Sequence, residues 1–240
     1  MADYTDRTTQ ASSLLFTTLA EQVKLPFVAI AHAAELSRMN PGQDELERLF
    51  KTISITSEAA LKLIDGYLLS VQLQHEPTLA LEPVSLGSVL YDTAHRLDKY
   101  AKAHDCTVEL RVEGKYGPVM ARQEVIETAM ESLGYSFIEA ASNQGSRTKV
   151  ILMVRRTRQG MSTGVFSDTD RLSGTLFKQA KVLKGVARQP LGNFSAGSGA
   201  GVFVADALFA WLDSPMRVAR FKAMQGLAAT LIPSRQLSLV

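Results

Sequence analysis

Two long apolar stripes at helical spacing, separated by an Asn-Pro-Gly break, constrain this chain more than any other feature. The first stripe runs through residues 9–38 as Leu15, Leu19, Val23, Phe27, Ile30 and Ala34. Steps of three or four residues keep all six on one helix face. The stretch MNPGQD (39–44) then stops the helix, and Asp44 can cap the next one. Residues 45–75 repeat the pattern with Leu46, Leu49, Ile53, Ala60, Ile64, Leu68 and Val71. The spacing predicts two helices of roughly 30 residues, each about 45 Å long, folded back on each other as an antiparallel hairpin. Pro26 stands inside the first helix, where it removes a backbone donor and bends the rod. Two helices leave a groove of Leu, Ile and Phe open to water. A second copy would close it, so a homodimer with a four-helix bundle is expected. The alternative is that the hairpin lies on the rest of its own chain.

After residue 75 the periodicity changes. Segments 85–104, 122–142 and 201–213 read as helices, 107–112 alternates as a strand, and 149–156 and 161–168 read as a strand and its antiparallel partner. MRVARF (216–221) and LAATLIP (227–233) read as two closing strands, and 169–196 as irregular. Helices mixed with antiparallel strands define an α+β fold with a two-layer α/β sandwich. The expected domains are a helical hairpin at 1–78 and a sandwich at 79–240.

Composition narrows the function classes. Of 240 residues, 46% are apolar, which is enough for a real core. The net charge of +2, with Lys and Arg dispersed, gives no nucleic-acid footprint. No run of about 18 apolar residues exists, so no membrane span is expected. Cys106 is the single cysteine, which suits a reducing cytoplasm. His32, His75, His95 and His104 show no metal-ligand spacing, so no protein metal site is expected.

Four short stretches carry candidate chemistry. EQVKLPFVAI (21–30) surrounds Pro26. SLGYSF (132–137) lies on a helix, VFSDTDRLSG (165–174) leaves a strand, and AGSGAGVFVADAL (196–208) enters a helix. In the last, Gly197, Gly199 and Gly201 would let backbone N–H groups approach phosphate oxygens at a helix N-terminus. The order of parts and these stretches together resemble the transmitter region of bacterial sensor histidine kinases, from about residue 9 to 234. The resemblance implies a dimerising hairpin and an ATP-binding sandwich of the kind shared with Hsp90 and type II topoisomerases. In the family motif H-E-L-R-T-P-L-x-x-I, Pro26, Phe27 and Ile30 match, but Glu21 stands at the phosphoacceptor histidine. His32, about three turns on, is the alternative acceptor. In N-L-L-x-N-A, whose asparagines help hold Mg2+, Ser132 and Ser136 replace the asparagines and Phe137 the alanine. In D-x-G-x-G, Asp168 is kept for the adenine, whereas Asp170 and Leu172 replace the glycines.

The resemblance therefore implies ATP and Mg2+ as cofactors, with binding weakened or lost through these replacements. The expected function is a degenerate, pseudokinase-like regulator that binds a response-regulator receiver domain or a partner kinase. An active kinase with an atypical site, or a phosphotransfer adaptor using His32, are the alternatives.

Overall fold

A computed structural model describes residues 2–39, 42–75, 80–114, 117–142, 148–168, 172–183 and 199–234. At 2–14, 21, 22, 25 and 183 it describes the helical backbone but not the side chain. The apolar stripes form α1 (Ala2–Ser37) and α2 (Gln43–His75), and α1 continues through Pro26. They are followed by β1 (Glu82–Val84), α3 (Leu86–Ala103), β2 (Cys106–Glu113), β3 (Val119–Ala121) and α4 (Gln123–Ser142). The chain then forms β4 (Thr148–Thr157), β5 (Gly160–Ser167), α5 (Gly174–Leu183), α6 (Ala200–Trp211), β6 (Arg217–Phe221) and β7 (Met224–Leu231).

Five strands make one sheet in the order β2-β4-β5-β7-β6. β2 and β4 are parallel because α4 intervenes as a crossover; the other neighbours are antiparallel. β1 and β3 form a separate short ribbon. The continuous apolar run Val150–Val154 reads as a strand buried on both faces. Val150, Leu152 and Val154 face the main core with Ile126, Met130, Leu133 and Phe137 of α4. Ile151 and Met153 face the opposite side with Phe166, Phe221 and Ala228.

The hairpin lies over the helical layer, with α2 against α4 and α6. This arrangement corrects the expected stripe. On α2 the buried set is Ile55, Ala60, Leu63, Gly66, Leu69, Ser70 and Leu73. Of the stripe read from the sequence only Ala60 is in that set, and Leu68 is exposed. On α1, Leu15 and Leu19 are buried while Phe27 is 59% exposed. α2 thus carries two apolar faces, and its own sandwich takes the one that was not read from the sequence.

Two elements were not anticipated. β3 is only three residues long, below the reach of an alternation signal. The stretch expected to be irregular holds α5, whose Phe177 is buried while Leu176 is exposed. Its helix depends on a tertiary anchor: Lys181 Nζ lies 2.8 Å from the carboxylate of Asp206 on α6. Asp206 is 2% exposed and also accepts from the backbone N–H of Met216 at 3.3 Å.

Candidate functional site

Three helices close around the two serines that replace the family asparagines. Ser132 and Ser136 are one turn apart on α4 and are 3% and 1% exposed. Gly66 of α2 sits against this turn. A Cβ there would lie 3.0 Å from Ser132 Oγ and 3.0 Å from Val204 Cγ1. Gly201 of α6 comes closer still: a Cβ would stand 2.4 Å from both Ser132 O and Ser136 Oγ. Gly201 leaves no room for a Cβ against the α4 backbone, whereas at Gly66 the facing side chains would have to give by a few tenths of an ångström. Ser136 Oγ is buried and has no hydrogen-bond partner among the described residues.

Ion pairs tie α2, α3 and α4 to one another. Glu131 on α4 is buried and receives Arg96 Nε of α3, with Lys62 Nζ of α2 at 3.9 Å. Arg96 also reaches Glu127 at 3.5 Å, and Lys99 reaches Glu58 at 3.6 Å.

Beside the serines, between the hairpin and α3 and α4, opens a cavity of about 720 Å3, within the range of small-molecule sites. Pro26 and Ala29 of α1 form part of one wall, and Ser132, Ser136 and Gly201 line it as well. Arg48 and Lys51 of α2 contribute positive charge, facing Tyr100, His104, Tyr135 and Glu139. Tyr100 Oη donates to Glu139 Oε1 at 2.9 Å. The Tyr100 ring stacks tilted on His104, with centroids 4.4 Å apart, and edge-on against Tyr135 at 4.7 Å.

Burial sets the proton chemistry here. Desolvation pushes the Glu139 carboxyl up to about 7, although the Tyr100 hydrogen bond pulls the other way. Burial, then the charge of Glu139, drives the Tyr100 phenol far above its ordinary value. Burial also raises Tyr135, and it lowers His104 against the opposing charge of Asp105. The group can therefore hold a proton on Glu139 near neutrality beside a neutral imidazole. It offers both donors and acceptors to a ligand with polar and apolar parts.

The expected site residues divide clearly. Ser132, Ser136 and Gly201 come together at the cavity. Gly199 precedes α6 at φ −86, ordinary helical backbone, and a Cβ would meet only Phe203 at 3.5 Å, so nothing there demands glycine. Asp168 is exposed at the end of β5 and does not line the cavity. Leu172 is buried, and its N–H donates to Gln225 Oε1 at 3.0 Å. His32 is exposed on α1 and away from the cavity lining. Gly197, Asp170 and the Glu21 side chain lie outside the described residues. Phe137 does not fill the site, because its ring belongs to the sandwich core. On the same helix Glu131 is buried and Glu139 is half-buried.

Sequence reasoning missed the Tyr100–His104 face and the Lys181–Asp206 pair. The pair had a signal: one charge inside the apolar run GVFVADALF (201–209) announces a buried partner. Tyr100 and His104 had none, because nothing local aims them at Glu139. Among the described residues no group of three His, Cys, Asp or Glu is placed to hold a metal ion, and no helix is long and apolar enough to cross a membrane.

A hairpin laid over a mixed sandwich is the architecture of histidine kinase transmitter regions, and this chain has that fold. Among solved structures it is similar to histidine kinase AdeS of Acinetobacter baumannii, with 12% identity and a TM-score of 0.54 over 88% of this chain and 97% of that one. Histidine kinase ThkA in complex with response regulator TrrA gives 12% identity and a TM-score of 0.58, over 95% of this chain and 64% of that one. Full-length ShkA in complex with AMPPNP gives 14% and 0.54, over 92% and 46%. No protein-family model matches the sequence, and a search of curated proteins found no match.

Proposed function

We propose that this chain is a histidine-kinase-fold regulator that works by binding, a pseudokinase in two-component signalling rather than a phosphoryl-transfer enzyme. The observation that carries the reading is the enclosure of Ser132 and Ser136 between Gly66 of α2 and Gly201 of α6. Mg2+ requires near-ideal octahedral oxygen coordination and keeps several waters. Two short hydroxyls crowded by α2 and α6 are weaker oxygen ligands than two amide side chains, which supports a lost Mg2+ site, and the packing of Leu172 into the core supports the same reading for the nucleotide turn.

The proposed state is a homodimer, and the proposed partner is a response-regulator receiver domain or another kinase docking on the hairpin. The exposed apolar side chains Phe27, Phe50, Leu61 and Leu68 support a second copy on the outer hairpin face. The ThkA–TrrA complex supports a receiver domain as partner, because the kinase there shares this fold. In this reading Glu21 supplies a fixed negative charge where the family carries a transient phosphoryl group. Glu21→Ala weakens receiver-domain binding if so; unchanged affinity removes that role. The single buried thiol of Cys106 fits a reducing cytoplasm.

Calorimetric titration of ATP with and without Mg2+, together with incubation in γ-labelled ATP, tests the reading. The expected result is no Mg2+-dependent binding and no label. Acid-labile, base-stable label on the protein overturns it. One observation favours a second reading as a phosphotransfer adaptor: His32 is solvent-exposed on α1. Label passing from a phosphorylated receiver domain to the chain, and lost in His32→Ala, selects that reading.

A further inference from the structure

The sheet face turned away from the helices carries three arginines around a small hollow. Arg155 of β4, Ser162 of β5 and Thr230 of β7 stand in register across three strands. In the next row Gly164 and Ala228 are followed by Arg217 of β6. Small residues on the two middle strands therefore leave a trough, with one arginine rising from each flanking strand. The turn after β4 adds Arg158. The resulting pocket is about 240 Å3, lined by all three arginines with Thr157, Ser162 and Thr230.

None of the three arginines forms an ion pair among the described residues. Arg155 Nε is buried and has no hydrogen-bond partner among the described residues. Glu113 lies opposite Arg155 in the register on β2, but it is exposed and makes no ion pair with it. A buried, unpaired donor is unfavourable unless something from outside satisfies it. Guanidinium forks match the oxygens of a tetrahedral anion in paired hydrogen bonds.

We propose that this hollow binds a phosphate group carried by a small ligand. Arg155 and Arg217 grip the oxyanion from two sides, Arg158 closes over it, and the Ser162 and Thr230 hydroxyls lie at its floor. The site lies on the opposite face of the sheet from the cavity at Ser132 and Ser136, so it stands independently of the pseudokinase reading.

Orthophosphate titrated into the full chain at low ionic strength tests this. Saturable binding of one phosphate per chain is expected, weakened roughly tenfold in Arg217→Gln and several-fold in Arg158→Gln. Both positions are exposed, so these variants fold even if Arg155→Gln does not. Glu113→Gln tightens binding by removing the nearest like-charged competitor. Phenyl phosphate is titrated separately: equal affinity points to the free ion, and tighter binding points to the phosphoryl end of a larger ligand. No saturable binding up to about 10 mM, or binding unchanged in the Arg158→Gln/Arg217→Gln double variant, overturns the assignment.

Discussion

Tyr100 of α3 donates its phenolic hydrogen to Glu139 of α4 at 2.9 Å, on the wall of the cavity beneath the hairpin. The contact couples a desolvated acid to the layer on which the hairpin rests. Desolvation lifts the Glu139 carboxyl to about 7, above its unfolded value near 4.5. The folded state therefore binds the proton more tightly than the unfolded one. Between about pH 4.5 and 7 stability falls as pH rises, and above that window the loss is complete. At about 1.4 kcal/mol per pKa unit, the loss is on the order of 3 kcal/mol. Urea unfolding at pH 5 and pH 8 measures it, and Glu139→Gln flattens the profile. A slope unchanged in that variant assigns the pH dependence to other groups.

Gly201→Ala tests the α4–α6 crossing. The added Cβ meets a backbone oxygen, Ser132 O, at 2.4 Å, so a helix must shift. Overpacking costs about 1–3 kcal/mol, against a helix-propensity gain of about 1. A lower thermal midpoint is expected. Gly66→Ala meets Ser132 Oγ and Val204 Cγ1 at 3.0 Å, and side chains yield more easily than backbone. Its midpoint falls less, and one falling as far as Gly201→Ala contradicts this ranking.

Ser136→Ala removes a buried hydroxyl that has no partner among the described residues. The expected change in stability is neutral or a gain of up to about 1 kcal/mol. A clear loss in chemical denaturation shows that the hydroxyl has a bound partner in solution.

Lys181→Met leaves the Asp206 carboxylate buried with, among the described residues, only the Met216 amide to satisfy it. Breaking such a pair from one side costs about 3 kcal/mol. Asp206→Asn keeps an acceptor for that amide and costs less. Hydrogen exchange across α5 rises in Lys181→Met, because the helix loses its tie to α6. Protection equal to the wild type means that Phe177 holds the helix by itself.

Leu61→Lys with Leu68→Lys tests the outer hairpin face. Both leucines are more than half exposed in the single chain. Burying a leucine contributes about 1.5–3 kcal/mol, so sedimentation is expected to show a wild-type dimer and a variant monomer. A monomeric wild type removes the second copy from the proposed function.

Secondary structure was legible wherever it was long and periodic. Leu86, Val89, Leu90 and Leu97 of α3 and Ile126, Met130 and Leu133 of α4 are all buried as their spacing requires. β3 and α5 escaped because one is three residues long and the other is fixed by a partner on α6. The candidate site was legible only in part. The serines and Gly201 were found at their motif positions, whereas Tyr100, His104 and the hairpin wall were not.

Local order along the chain determined the elements, because apolar side chains recurring at 3.6 or 2 residues can be shielded from water together in only one local conformation. It could not choose between the two apolar faces of α2. That choice depends on what lies opposite, and a helix surface becomes interior only when another layer covers it. The same holds for Ser132 and Ser136. Their hydroxyls are enclosed because Gly66 and Gly201, distant in sequence on either side, allow two backbones to settle against one turn of α4. Proximity of that kind is a property of the folded layers and of no single segment.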